Sequence, residues 1–185
     1  MGEKGALSWG APEKIQKSVS LWNIMSQKKN LFAVVEFFPI SVQDLENCIY
    51  TPHFWGEYVP AHEATAEFTT KTNMHFVIKE NVPLPITMEG DVEYLDEGNG
   101  VIHFRLLREN FHQVETLFGR IRYREEAPGK TKVGVFVEEM KLSNAFANLL
   151  GKTAAVVEAK TRLTKAFRKF MTGIEQGKVP PRASP

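Results

Sequence analysis

Between His62 and Leu142 the chain alternates apolar and polar residues in short runs cut by turn signals, the pattern of a β-meander with one face in a core. Ala64–Lys71, Met74–Glu80, Ile86–Leu95, Val101–Glu109, Gln113–Glu125 and Thr131–Leu142 each read as a strand. The breaks fall at Thr72-Asn73, Pro83-Leu84-Pro85, Glu97-Gly98-Asn99-Gly100, Asn110 and Pro128-Gly129-Lys130. Leu31–Phe38, β-branched and aromatic and stopped by Pro39, supplies a seventh strand. One set of faces is apolar: Met74/Phe76/Ile78, Ile86/Met88/Gly90/Val92/Tyr94, Ile102/Phe104/Leu106, Leu117/Gly119/Ile121/Tyr123 and Val133/Val135/Val137. The other carries Glu89, Asp91, Glu93, Arg105, Arg120, Arg122, Arg124 and Glu138, an outer surface of both signs.

Elsewhere the period changes. From Ser143 to Gln176, Phe146, Leu149, Leu150, Thr153, Val156, Val157, Lys160, Leu163, Phe167, Phe170, Met171 and Ile174 recur at spacings of three and four, one face of a helix about 50 Å long. Ser143 and Asn144 are cap residues, and Gly177 followed by Pro180 and Pro181 ends the run. Such a helix can cover a whole sheet. Because its face also holds Thr153, Lys160 and several alanines, it is less apolar than a pure core helix and leaves room for a cavity. Ser41 caps a short helix, Val42–Tyr50, and Pro52 opens a second turn with Phe54, Trp55 and Tyr58 that Pro60 closes. From Pro12 a further amphipathic helix is expected, with Ile15, Val19, Trp22 and Met25 on one side. Its apolar face packs on the protein's own sheet in the reading adopted, and a transient membrane contact is the alternative.

Composition narrows the function. At 185 residues and 43% hydrophobic content the chain is one globular unit with bulk for a core. A formal net charge of +1 argues against nucleic-acid binding, which relies on neutralising many phosphates. The single cysteine, Cys48, cannot form an internal disulfide, and no apolar run reaches membrane-span or signal-peptide length. The reading is a soluble, cytoplasmic protein without a transmembrane segment.

The order of elements, together with the stretch VEFFPISVQDLENCIYTPHFWGEYVPAHEATAEF at 35 to 68, resembles the START-like superfamily, also called SRPBCC or Bet v 1-like. The architecture spans about residues 31 to 176, and the local motif its first quarter. The resemblance implies an α+β helix-grip fold: a seven-stranded antiparallel curved sheet wrapped around the long C-terminal helix, with two short helices after the first strand. It also implies an apolar cavity between sheet and helix. The organisation expected is an N-terminal extension over 1–30 with its amphipathic helix, a START-like domain over 31–177 and a flexible tail over 178–185.

A carrier needs an apolar pocket with few polar groups, whereas a cyclase needs a convergent acid, base or cation. The inward set contains almost no titratable group beyond Tyr94 and Tyr123, which favours binding over catalysis. Trp55 and Tyr58 are expected at the mouth, with Phe76, Phe104, Leu117, Tyr123, Val135, Phe146, Leu150 and Val157 on the walls. The ligand expected is a hydrophobic small molecule such as a lipid, isoprenoid or polyketide, with no cofactor and no metal. Two alternatives stay open: a polyketide cyclase or dehydratase using Tyr123 or Arg105, and a protein-interaction module whose cavity is filled by side chains. His53, His62, His75, His103 and His112 lack metal-ligand spacing, and His75 and His103 read as solvent-facing. Cys48 reads as buried packing, and Gly151-Lys152 lacks the upstream glycine of a phosphate-binding loop. Phe118, Phe136 and Met140 fall on the outer face, where Trp22 and Trp9 of the N-terminal segment or a second subunit would cover them.

Overall fold

In a computed structural model, residues 29–51, 54–81, 86–107, 114–143 and 151–179 are described. The chain runs β1 (Phe32–Phe38), α1 (Val42–Ile49), α2 (Phe54–Tyr58), β2 (Glu63–Phe68), β3 (Asn73–Glu80), β4 (Ile86–Gly98), β5 (Val101–Leu107), β6 (Val114–Ala127), β7 (Lys130–Leu142) and α3 (Lys152–Glu175). All seven strands form one antiparallel sheet in the order β1-β7-β6-β5-β4-β3-β2. The sheet curls about α3, so the expected helix-grip architecture is the one observed. The N-terminal helix expected from Pro12, and Trp9 and Trp22 with it, lies outside the described residues.

Turn chemistry sets the registers. β4 and β5 are joined by Asn99-Gly100, and both residues take positive φ, 54° and 73°, the two-residue hairpin geometry whose twist matches the strands. A Cβ on Gly100 would stand 2.1 Å from the Tyr123 carbonyl oxygen, so the position excludes any larger residue. Register pairs such as Phe76 with Gly90, Tyr94 with Phe104, and Ile121 with both Ile102 and Val135 keep the apolar set on one face. Ser41 opens α1 with a reciprocal cap: its hydroxyl oxygen accepts from the Asp44 amide at 3.1 Å and its hydroxyl donates to the Asp44 carboxylate at 2.7 Å. Thr131, fully buried, ties the start of β7 to the turn after β1 by donating to the Ile40 carbonyl at 2.6 Å.

Three expectations are corrected here. The ladder between β6 and β7 pairs Gly119 with Val137 and Phe118 with Glu139, so Glu138 is an extra residue that resets the alternation. Met140 therefore pairs with Leu117 and turns to the inner face, not the outer one. On the outer face, Phe118 is 3% exposed and His103 only 5%, so His103 does not face solvent, and its Nε2 stands 3.1 Å from a Glu97 carboxylate oxygen.

The third correction concerns the long helix. Gly151, in the left-handed region at φ 73°, stands at its N-cap, so α3 begins at Lys152 and is about 36 Å long, shorter than a run from Ser143 would be. Its C-terminus closes as a Schellman motif: Gly177, at φ 67°, donates to the Ile174 carbonyl at 2.9 Å, and Lys178 donates to that of Gly173 at 2.9 Å. Val179 follows and is buried, so the chain just past the helix is part of the core.

Candidate functional site

The site grows out of the aromatic corner after β1. The Trp55 indole donates to the Ile49 carbonyl at 3.1 Å, which fixes α2 against α1. Phe54 and Tyr58 then stack with each other at 4.9 Å and with Phe170 of α3 at 5.4 and 5.3 Å, and Phe38 meets Phe170 at 4.9 Å and Phe167 at 5.3 Å. Gly173 allows this close approach, because a Cβ there would stand 3.1 Å from the Tyr58 hydroxyl and 3.2 Å from Val179. The rings weld the C-terminal half of α3 to the sheet. Burial pushes the Tyr58 phenol up, with Glu57 and the Cys48 thiol adding to the shift.

Beside these rings, under the middle of α3, the packing opens into a cavity of about 410 Å³, within the size range of small-molecule sites. Its floor is Ile78, Met88, Leu117, Ile121, Val133 and Val135. Its roof is Ala159, Leu163, Ala166, Phe167 and Phe170, and Leu45, Ile49, Phe54, Trp55, Tyr58, Val59 and Pro60 close one side. The alanines make the room: at 159 and 166, beside Leu163, they share one stripe of the helix and each withholds the volume of a larger side chain.

Among the described lining residues the only charged one is Arg162. Its Nε donates to Glu158 at 2.7 Å, one turn back on the helix, and its Nη1 donates to Glu80 at the end of β3. Burial alone would lower its pKa, but the bonds to Glu80 and Glu158 outweigh this and hold the guanidinium above its usual range.

The residues proposed from sequence separate into groups. Trp55, Tyr58, Leu117 and Val135 line the cavity. Tyr123 and Phe104 stand outside its lining: Tyr123 is in the core cluster and donates to Glu46 of α1 at 2.9 Å, while Phe104 packs on that cluster and over Gly119. Phe76 is half-buried on β3, between Ala66 and Gly90, and is also outside the lining. Val157 is 60% exposed, so it is on the far side of α3 and not on a wall; Thr153 and Lys160 share that exposed side. Phe146 and Leu150 lie outside the described residues. Arg105 is turned away on the outer face, paired with Glu93.

A second polar cluster occupies the other end of the inner face. The Tyr50 hydroxyl donates to Asp96 at 2.6 Å, beside the Tyr123–Glu46 bond, and Phe68 bridges the Tyr50 and Tyr94 rings at 6.0 and 5.7 Å. Burial, then the bonded carboxylates, drive the Tyr50 and Tyr123 phenols far above their ordinary range, and burial alone does so for Tyr94. The Tyr50 and Tyr123 phenols are committed donors, tying β4 to the C-terminal end of α1 and β6 to α1 itself. Cys48, fully buried, has its thiol raised to about 11 by burial and by Asp44, which disfavours the reactive thiolate. Among the described residues no group of three His, Cys, Asp or Glu side chains could hold a metal, and no helix is long and apolar enough to cross a membrane.

No protein-family model matches the sequence, and no curated protein matches it. Solved structures do. A conserved protein from Geobacillus kaustophilus, 11% identical, superimposes over 78% of this chain and 94% of its own with a TM-score of 0.65. A START superfamily protein from Mycobacterium smegmatis, 9% identical, covers 79% of this chain and 99% of its own with a TM-score of 0.60. An aromatase/cyclase from a Streptomyces species, 13% identical, covers 83% and 98% with a TM-score of 0.60. At these identities the likeness is one of fold.

Proposed function

From a chain with a START-like fold and an apolar cavity under its C-terminal helix, we propose that the protein binds a hydrophobic small molecule between sheet and helix. One observation carries this reading: a space of about 410 Å³ walled by aliphatic and aromatic side chains, with a single charged residue among its described lining residues. Burying about ten methylenes there would supply roughly 8 kcal/mol gross, before the costs of association and ordering. A module with a filled cavity would have no such space, so the interaction-only alternative is the weaker one. The ligand classes in view are lipid, isoprenoid and polyketide, and carriage between membranes or enzymes is a natural use of such a site.

A second reading is an enzyme of the polyketide cyclase or dehydratase class, favoured by the aromatase/cyclase among the structural neighbours. Its residues would differ from the first expectation. Tyr123 donates to Glu46 outside the cavity and Arg105 is on the outer face, so Arg162 is the charged group such chemistry would have at the wall. Mass spectrometry of small molecules released from the natively purified protein tests the binding reading. A co-purifying apolar compound in near-stoichiometric amount is the expected result. Absence of any compound, together with failure of the neutral dye Nile red to bind, would overturn it. Turnover of an added polyketide, lost in Arg162→Met, would favour the enzyme.

A further inference from the structure

Arg162, the one charged group among the cavity's described lining residues, is already satisfied on two sides, and that decides what kind of ligand end it can hold. An arginine has five N–H donors in a planar fork. Here Nε is spent on Glu158 and one Nη1 hydrogen on Glu80, while Nη2 has no hydrogen-bond partner among the described residues. The Glu80 side chain is 17% exposed and Arg162 35%, so this pair is largely shielded, whereas Glu158 at 53% is wet. Counted together, the guanidinium and its two carboxylates carry one net negative charge. We propose, resting on the binding reading above, that Arg162 selects a ligand with a neutral hydrogen-bond-accepting end, a ketone, quinone or alcohol oxygen, and rejects a free carboxylate.

The physics runs in one direction. A carboxylate entering the apolar space loses its hydration and finds a cation whose field Glu80 and Glu158 have cancelled. A neutral carbonyl loses far less on entry and needs only one N–H, which Nη2 supplies. The bland alternative is that the Arg162–Glu80 bond merely staples α3 to β3, in which case the walls alone set selectivity and Glu80 is irrelevant to it.

Isothermal titration with two ten-carbon probes, decan-2-one and decanoate at pH 8, separates these. Native protein should bind the ketone at least tenfold more tightly. Glu80→Gln, nearly isosteric and checked for folding by circular dichroism, uncovers the guanidinium and should move the ratio at least tenfold toward decanoate. Arg162→Met should weaken the ketone about tenfold without a gain for decanoate. Equal affinities in native protein, an unchanged ratio in Glu80→Gln, or full ketone affinity in Arg162→Met would each overturn the selector while leaving the binding reading standing. If neither probe binds native protein while Nile red does, the selector is overturned and the binding reading stands; if Nile red also fails and no compound co-purifies, both fall.

Discussion

Filling the cavity from the helix side should stabilise the protein and abolish its binding, two effects that oppose one another only if the space is a ligand site. Ala166→Leu is the perturbation, at a cavity-facing position of α3 flanked by Phe167 and Leu163. Alanine and leucine differ little in helix propensity, so the change isolates packing. Three added carbons entering empty apolar space return about 2.4 kcal/mol at about 0.8 kcal/mol each, less about 0.5–1 kcal/mol of lost rotamer freedom. A net gain of about 1.5 kcal/mol corresponds to about 3–6 °C in Tm for a chain of this size. Ala159→Leu, two turns away, should add a similar amount because the sites do not touch. Thermal unfolding of stripped protein reads the first effect and ligand occupancy by native mass spectrometry the second. A variant destabilised by the 1–3 kcal/mol typical of overpacking, with occupancy intact, would refute the reasoning by showing that the space under Ala166 is not available.

Further outcomes follow from groups away from the cavity. Tyr123→Phe removes the bond to Glu46 and should cost about 1–2 kcal/mol in urea unfolding while leaving ligand occupancy in place. The folded-state phenols of Tyr50, Tyr94 and Tyr123 titrate above their unfolded values, so their stability is fully present below about pH 10 and is lost as pH rises beyond it. The urea midpoint should be insensitive to these groups from pH 7 to 9 and decline above about pH 10, less steeply in Tyr123→Phe. Cys48, with its thiol raised to about 11 and fully buried, should react with a thiol reagent only as fast as the protein opens, and denaturant should accelerate labelling in step with unfolding. Gly119→Ala would place a Cβ 2.1 Å from the Phe136 carbonyl and 2.8 Å from the Phe104 ring, so a loss of about 2 kcal/mol or more in stability is expected from equilibrium denaturation.

Strands β3 to β7 are readable because two signals agree at them, alternation within the run and turn residues at its ends, whereas β1 rests on its β-branched and aromatic content and Pro39. Asn99-Gly100 is the clearest case, since its dipeptide dictates a turn type and the observed φ values are those of that turn. Legibility failed where a signal was silent. Glu138 and Glu139 are both polar, so nothing in the string EEMKL reveals that one of them is an extra residue in the ladder and that Met140 has changed faces. His103 and Phe118 look like ordinary outer-face positions, and their burial depends on neighbours that periodicity does not report.

The site was the harder half, for a reason rooted in what a cavity is. A periodicity search follows large apolar residues, and in the first half of α3 it traced Thr153, Val157 and Lys160, the exposed stripe. The inward stripe there is Ala155, Ala159 and Arg162, which carries little apolar signal because it withholds volume. From Leu163 onward, with Phe167 and Phe170, large residues return to the inner face and the two readings coincide. Trp55 and Tyr58 were legible from the proline-bounded corner. Arg162 was not, because a charged residue within a helix reads as surface until its partners, Glu80 on a strand 82 residues away and Glu158 one turn back, are known.

The same alanines bear on why the space exists. The space of about 410 Å³ is partly open to solvent, so its cost to stability is the packing forgone along its apolar walls. Three or four larger side chains on α3 would remove most of that cost, and the backbone there would accept them, since leucine suits a helix as well as alanine does. On the binding reading proposed above, that gain is forgone because the space is kept for a ligand. Occupancy should then appear in stability: a ligand present at a hundred times its Kd would raise the unfolding free energy by about 2.7 kcal/mol. That increment should vanish in the Ala159→Leu, Ala166→Leu double variant, whose own side chains already sit where the ligand would.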